Sequence, residues 1–257
     1  MKQIYYELDC SALMCFFQIK INDVEVFSFN VDDQSSMDIP INNGILQSGM
    51  QEIEVKVFPL SGTKTLHKDA YLRYKLIEFD VSSGDFKFIS QLENQQTTPV
   101  QKGVPFTMHK SKFQSNVTYK LDAWQKSINL KDLKIDIKEK LILEYNKIIK
   151  DLNSGTYEKF IEKYKKREKN AAIAMYLNES EAKNRLSKLT NDFKSGFKAI
   201  PISKDVIVEY SAYGKLASLK RIDGMSALYL ENSKTNEELV LPITFHIPEG
   251  KTEFEVI

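Results

Sequence analysis

The chain has little of what builds metal centres, disulfide frameworks or membrane spans. Its 257 residues include two cysteines, three histidines and one tryptophan. His67, His109 and His246 lie far apart, and none is spaced with a cysteine or another histidine as zinc ligands usually are. Cys10 and Cys15 stand five apart in an apolar run, so on one uninterrupted strand they face opposite sides and cannot bridge. Net charge is equally scarce. Lys and Arg number 36 against 35 Asp and Glu, and a formal charge of +1 provides no global field to recruit nucleic acid or an anionic membrane. The longest apolar run, Ala12 to Phe17, is far short of the roughly 20 residues of a spanning helix. In the opening MKQIYYELDCSALMCFF, Glu7 and Asp9 interrupt what an export signal keeps apolar, and no small-residue cleavage site follows. The expectation is a soluble cytoplasmic protein, or a periplasmic or exported one if the chain is a processed form.

Motifs that carry chemistry are missing too. Gly44 and Gly49 precede a strand, no Gly-Lys-Ser/Thr occurs and no helix follows, which excludes a phosphate loop. Ser61, Ser154 and Ser195 each precede a glycine at a turn or helix end, without the G-x-S-x-G of a nucleophile elbow. Asp205, Asp223 and Glu231 fall at strand ends or turns, where carboxylates are solvated. Asn116-Val-Thr and Asn178-Glu-Ser fit the glycosylation pattern, which has meaning only in an exported chain. The sequence therefore nominates no catalytic, cofactor-binding or metal-ligating residue and no cofactor. The most basic run, Lys163 to Lys169, reads as the solvated face of a helix, with Tyr164 turned inward and Glu158, Glu162 and Glu168 as partners.

Aromatic residues are plentiful, with 15 Phe and 12 Tyr, and most fall in phase with strand or helix interiors. Up to Trp124 the pattern is β. Phe17, Ile19 and Ile21 alternate with polar residues, Asn22-Asp23 makes a turn and Val24 to Phe27 resumes, which predicts a hairpin. Gln51 to Phe58 places Ile53, Val55 and Val57 on one face, with Glu52, Glu54 and Lys56 on the solvent face. Further strands are expected at 70–81, 86–90, 104–108 and 117–122, and residues 91–103 read as a long exposed loop. Seven or eight short strands predict an antiparallel, immunoglobulin-like sandwich over residues 1–126.

From residue 127 to 257 the pattern is α+β. Asp136 with Glu139 starts a helix striped by Leu141, Tyr145, Ile148, Ile149 and Leu152. A second begins near Thr156, with Tyr157, Ile161 and Tyr164 inward. The third, capped by Asn178 with Glu181, carries Ala182, Leu186, Leu189 and Phe193. The intervening AAIAMYL suits a helix tail or a brief strand. Strands are expected at 206–212, 216–221, 225–231, 239–247 and 252–257, as a curved antiparallel meander packed on the three helices.

In its order of elements, residues 130–257 resemble the NTF2-like, or cystatin-like cone, superfamily. The resemblance implies a cone that in some members holds an acid, a base or a His-Asp pair, and in others a ligand or nothing. Here His246 alternates with Ile243, Phe245 and Ile247, so it faces away if that apolar set faces the helices. Recognition fits these features better than catalysis. The leading expectation is a non-catalytic bacterial protein that binds another protein, for example an immunity-type inhibitor of a toxin. The alternatives are a small-molecule or carbohydrate binder, and a hydrolase, isomerase or dehydratase with its site inside the cone.

Overall fold

The structure, a computed structural model, describes residues 2–257 and is mostly β, with a curled antiparallel sheet and three helices. It divides into two compact units, one made of residues up to Leu121 together with Ile173–Tyr176, the other of Asp122–Ala172 and Leu177–Ile257.

The first unit is organised by one long hairpin, β1 (Ile4–Ile21) and β2 (Val24–Pro40). Its turn residues Asn22 and Asp23 both have positive φ, 51° and 63°, as a tight two-residue hairpin turn requires. β3 (Gly49–Phe58), β4 (Tyr71–Asp80), β5 (Lys87–Gln91), β6 (Gln95–Gln96) and β7 (Thr107–Ser115) complete the sheet. One edge of β1 pairs with β2 along most of its length. The other pairs with β4 as far as Leu13 and with β3 from Phe16 onward. The strand order β5-β4-β1-β3-β7 thus curls around β1, with β2 beside it and β6 on β4.

The change of partner coincides with a change of phase. Tyr6, Leu8, Cys10 and Ala12 are buried on the first stretch, Cys15, Phe17, Ile19 and Ile21 on the second. Met14, at φ 49°, sits at a break in register where Asp32 and Asp33 have no partners opposite, and the extra residue turns odd positions inward. Cys10 and Cys15 are therefore both free and fully buried, which corrects the expectation that they face opposite sides. Burial pushes both thiols above the ordinary range, the Cys15 thiol to about 11.

Elsewhere the expected strand positions shift. The segment read as 104–108 begins pairing only at Thr107 and continues to Ser115, while 117–122 forms no strand although Val117 and Leu121 are buried. The loop at 91–103 is tied down by β6 and by Thr97, whose hydroxyl accepts from the Leu72 amide at 3.1 Å. β3 buries Ile53, Val55 and Val57 as expected. Its polar face is not freely solvated, since Glu54 is buried as well.

The second unit packs α1 (Ile137–Asn153), α2 (Tyr157–Ala174) and α3 (Glu179–Lys194) with short strands. Asp136 caps α1 by accepting from the Glu139 amide, and Asn178 with Glu181 forms the full reciprocal box of α3. AAIAMYL proves to be the tail of α2 followed by a turn. β8 (Lys198–Ala199), β9 (Ile207–Ser211), β10 (Leu216–Lys220), β11 (Tyr229–Asn232), β12 (Glu237–Val240), β13 (Phe245–His246) and β14 (Glu255–Val256) form two antiparallel sheets, β14-β13-β10-β9 and β12-β11-β8. The single meander read from the sequence is split because 241–244 carries no ladder between β12 and β13. No helix among the described residues is long and apolar enough to cross a membrane.

Candidate functional site: a lysine-edged groove beside the first helix

The interior of the second unit is filled by side chains. Tyr145, Phe160, Phe193 and Phe245 are fully buried, and the Tyr145 hydroxyl is satisfied from both sides, donating to the Ile243 carbonyl at 2.9 Å and accepting from the Leu219 amide at 3.1 Å. A fully buried ring with both hydroxyl hydrogen bonds made has no polar group left to offer a ligand.

His246 is buried, contrary to a solvent-facing position. The segment 126–128 runs antiparallel to 247–249 through the Ser127–Pro248 bridge and the Ile128-to-Ile247 and Glu249-to-Lys126 hydrogen bonds, and this covers the second face of β13. Nδ1 of His246 lies 2.7 Å from the Ser127 hydroxyl, and Nε2 has no partner among the described residues. Burial, helped by the Lys166 charge, pushes the imidazole down to about 4, so it is neutral at physiological pH. A serine beside a neutral histidine suggests nucleophilic chemistry, but the two residues are 3% and 1% exposed and a substrate has no access to the hydroxyl. The pair is a packing element.

The other histidines and carboxylates weighed in the sequence are dispersed. His67 is exposed beside Asp69, and His109 shares a hydrogen bond with Gln95. Asp223 pairs with Arg221, while Asp205 and Glu231 are exposed. No group of three His, Cys, Asp or Glu side chains among the described residues converges as a metal site. The basic run on α2 is committed to local pairs: Lys163 with Asp151, Lys165 with Glu162, and Arg167 with the buried Glu168, which also binds Arg185. Tyr164 points inward, with the Arg167 guanidinium 4.8 Å from its ring centre.

A different surface stands out. The stripe of α1 opposite its buried face carries Lys140, Leu143, Glu144, Lys147 and Lys150, three or four residues apart and hence on one flank. Residues 252–254 lie against that flank, and with Ile135 they enclose a groove of about 450 Å³. Ile135 and Leu143 are about half exposed, and Phe254 is partly buried beside them. An adjoining concavity of about 550 Å³ shares Lys147 and Lys150 and adds Asp151, Lys159, Glu162 and Lys163.

The charges around it are not all matched. Glu144 accepts from Lys147 at 2.6 Å, which raises that ammonium's pKa, and Asp151 and Glu162 are engaged by Lys163 and Lys165. The side chains of Lys140, Lys150 and Lys159 have no partner among the described residues. Comparison with protein-family models, with curated proteins and with solved structures yields no match.

Proposed function

We propose that the chain is a non-catalytic protein-binding protein whose helical unit receives an acidic, amphipathic segment of another protein. The observation that carries this is the groove itself: an apolar floor of Ile135, Leu143 and Phe254 edged by the uncommitted ammonium groups of Lys140 and Lys150, with that of Lys159 in the adjoining concavity. Apolar side chains of the partner would cover the floor, and its carboxylates would meet the lysines. The filled interior of the second unit supports recognition over catalysis. A bacterial inhibitor that neutralises a toxin is one form such a protein takes, with a sandwich-like first unit and a helix-on-sheet second unit as binding scaffolds.

The test is capture from the native host's lysate with native protein and with a Leu143→Glu, Lys150→Glu double variant, both positions being exposed and harmless to folding. A stoichiometric partner retained by the native chain and lost by the variant supports the groove. Equal capture by both proteins removes it.

A second reading rests on the first unit. Phe16, Phe58 and Phe106 stand in a row on one face of the sheet, with centroid separations of 5.9 and 6.3 Å, and Gln18 and Lys56 lie beside them on the same face. An aromatic row flanked by polar groups suits a carbohydrate or another flat small molecule. A rise in melting temperature with an oligosaccharide panel would support this reading, and no rise at millimolar ligand would remove it.

A further inference from the structure

His246 has one ring nitrogen satisfied and one stranded. Nδ1 meets the Ser127 hydroxyl, while Nε2 is shut off from water without a partner among the described residues. A neutral imidazole tolerates this, since Nδ1 can carry the single proton and donate it to Ser127, leaving Nε2 as an unfilled acceptor. A charged ring does not, because both nitrogens then donate and the buried Nε2–H has nothing to receive it. The charges that face the ring offer no free acceptor. Glu255 stands opposite His246 across the β13–β14 ladder but is held by Lys251, and Asp122 lies 3.9 Å from the Lys166 ammonium of α2. Lys126 and Glu249, on the covering segment and just past β13, are exposed, and the one ionisable residue of β10, Lys220, is paired with Glu209. The closed site therefore refuses the second proton on its geometry.

What shuts the ring in is a narrow strip of chain. Residues 126–128 are held to 247–249 by the Ser127–Pro248 bridge, the Ile128 amide on the Ile247 carbonyl at 3.1 Å and the Glu249 amide on the Lys126 carbonyl at 2.9 Å. Just before them, Lys215 donates to the Gln125 carbonyl and Asn170 to the Asp122 carbonyl. Trp124, Gln125 and Ile128 are only half-buried. A strip with so few backbone bonds and so little buried apolar surface opens at lower cost than the unit it lies on. We propose that segment 122–128 is an acid-released clasp: protonation of His246 detaches it from β13 while the helices and sheets of the second unit stay folded. Detachment wets Nε2 and bares the face of β13 that carries His246. The open form then takes the proton that the closed form refuses. Burial holds the closed imidazole at about 4, against about 6.5 once wetted. Closure is therefore intact well above 6.5, and the opening constant is expected to rise roughly 30-fold between pH 8 and pH 5.

The test is amide hydrogen exchange of the full chain, read by NMR from about pH 8 to about pH 5, with each rate divided by the intrinsic rate of that residue at that pH. The Ile128 and Glu249 amides close the clasp and report its opening, whereas the Leu219 amide, bonded to the Tyr145 hydroxyl in the core, reports global unfolding. Protection at Ile128 and Glu249 is expected to fall roughly 30-fold on acidification and to stay below that of Leu219 throughout. His246→Gln, which has no proton to take up, is expected to flatten the change to less than about threefold. Should that variant misfold, the imidazole signals of the native chain give an independent check, because protonation of His246 must appear together with the loss of protection at Ile128 and Glu249. Protection at these two amides that does not respond to pH, that equals the protection of Leu219, or that keeps its pH dependence in His246→Gln overturns the proposal.

Discussion

Glu54 sits at the centre of a charged row on the outer face of the first unit. In the register of the sheet it lies opposite Lys20 of β1 and Lys110 of β7. Its carboxylate is 2.8 Å from the Lys56 ammonium and 2.9 Å from that of Lys110, and the residue is only 8% exposed. Burial alone would raise its pKa, but the hydrogen bonds and charges of Lys110 and Lys56 outweigh it and hold the carboxyl below the ordinary carboxylate range. Glu54→Gln keeps the shape and removes the charge, at about 1–2 kcal/mol for two weakened charge-assisted contacts. Glu54→Lys adds repulsion, because the new ammonium stands between Lys20 and Lys110 and beside Lys56. About 3–4 kcal/mol is expected, in the range for breaking a buried ion pair. Urea unfolding at pH 7, followed by circular dichroism, should rank the proteins native, Gln, Lys, and 0.5 M NaCl should narrow the gap for the Lys variant. Because the folded pKa is depressed, the stabilisation is complete above the unfolded carboxylate value of about 4.3. It is lost as pH falls through the folded value. Unfolding of Glu54→Lys within about 0.5 kcal/mol of the native protein would refute the reasoning, since that is the behaviour of an ordinary surface site.

Val55→Asp, one residue along and on the opposite face, buries an unpaired charge among Ile19, Ile53 and Val57, and should cost about 4 kcal/mol or more, read as lost soluble expression or a collapsed urea midpoint. His246 should lower stability as the solution is acidified. Below about 6.5 the unfolded chain takes a proton that the folded site, at about 4, refuses, so the urea midpoint should fall by the equivalent of roughly 2 kcal/mol between pH 6.5 and 5. An imidazole NMR signal from His246 that titrates near 6.5 would remove this effect. Asn178→Ala deletes one half of the α3 capping box and should lower stability by about 1 kcal/mol, with faster hydrogen exchange in the first turn of α3 as the check. Gly44→Ala should be more damaging than its turn position suggests, by about 2 kcal/mol, because a Cβ there would lie 2.5 Å from Cβ of Ile21.

Helices were the most legible part of the chain, because two of the three announce themselves twice. The stripe Leu141, Tyr145, Ile148, Ile149, Leu152 and the caps Asp136 and Asn178 are local signals, and local hydrogen bonds build a helix. The β units were legible only between their irregularities. A period of two is lost at any inserted residue, so the bulge at Met14 made one eighteen-residue strand look like a short hairpin arm preceded by an apolar run. The same insertion reversed the inferred facing of Cys10 and Cys15. His246 was misplaced for a related reason: alternation assigns it to the face opposite Phe245, as it should, but cannot show that 126–128 returns to cover that face.

The candidate groove was illegible for a different reason, one that bears on what it can do. From spacing alone, Lys140, Lys147 and Lys150 are cations on one exposed flank of α1, with Lys140 and Lys147 three or four residues from an acidic neighbour and Lys150 from none. The fold keeps Lys150 apart as well. Glu144 closes on Lys147, and Asp151, the residue after Lys150, is taken across the helix pair by Lys163. Residues 252–254 then set Phe254 beside Leu143 and Ile135 and make a floor from side chains that are far apart in the chain. An exposed lysine left unpaired next to apolar surface is a poor device for stability, since surface pairs contribute at most about 1 kcal/mol and exposed apolar patches invite association. It is a good device for recognition, because no carboxylate among the described residues pairs with this ammonium, and a partner can bring one. If that is its role, Lys150→Gln should leave the unfolding midpoint within experimental error while weakening partner capture, and the loss should grow as salt is lowered.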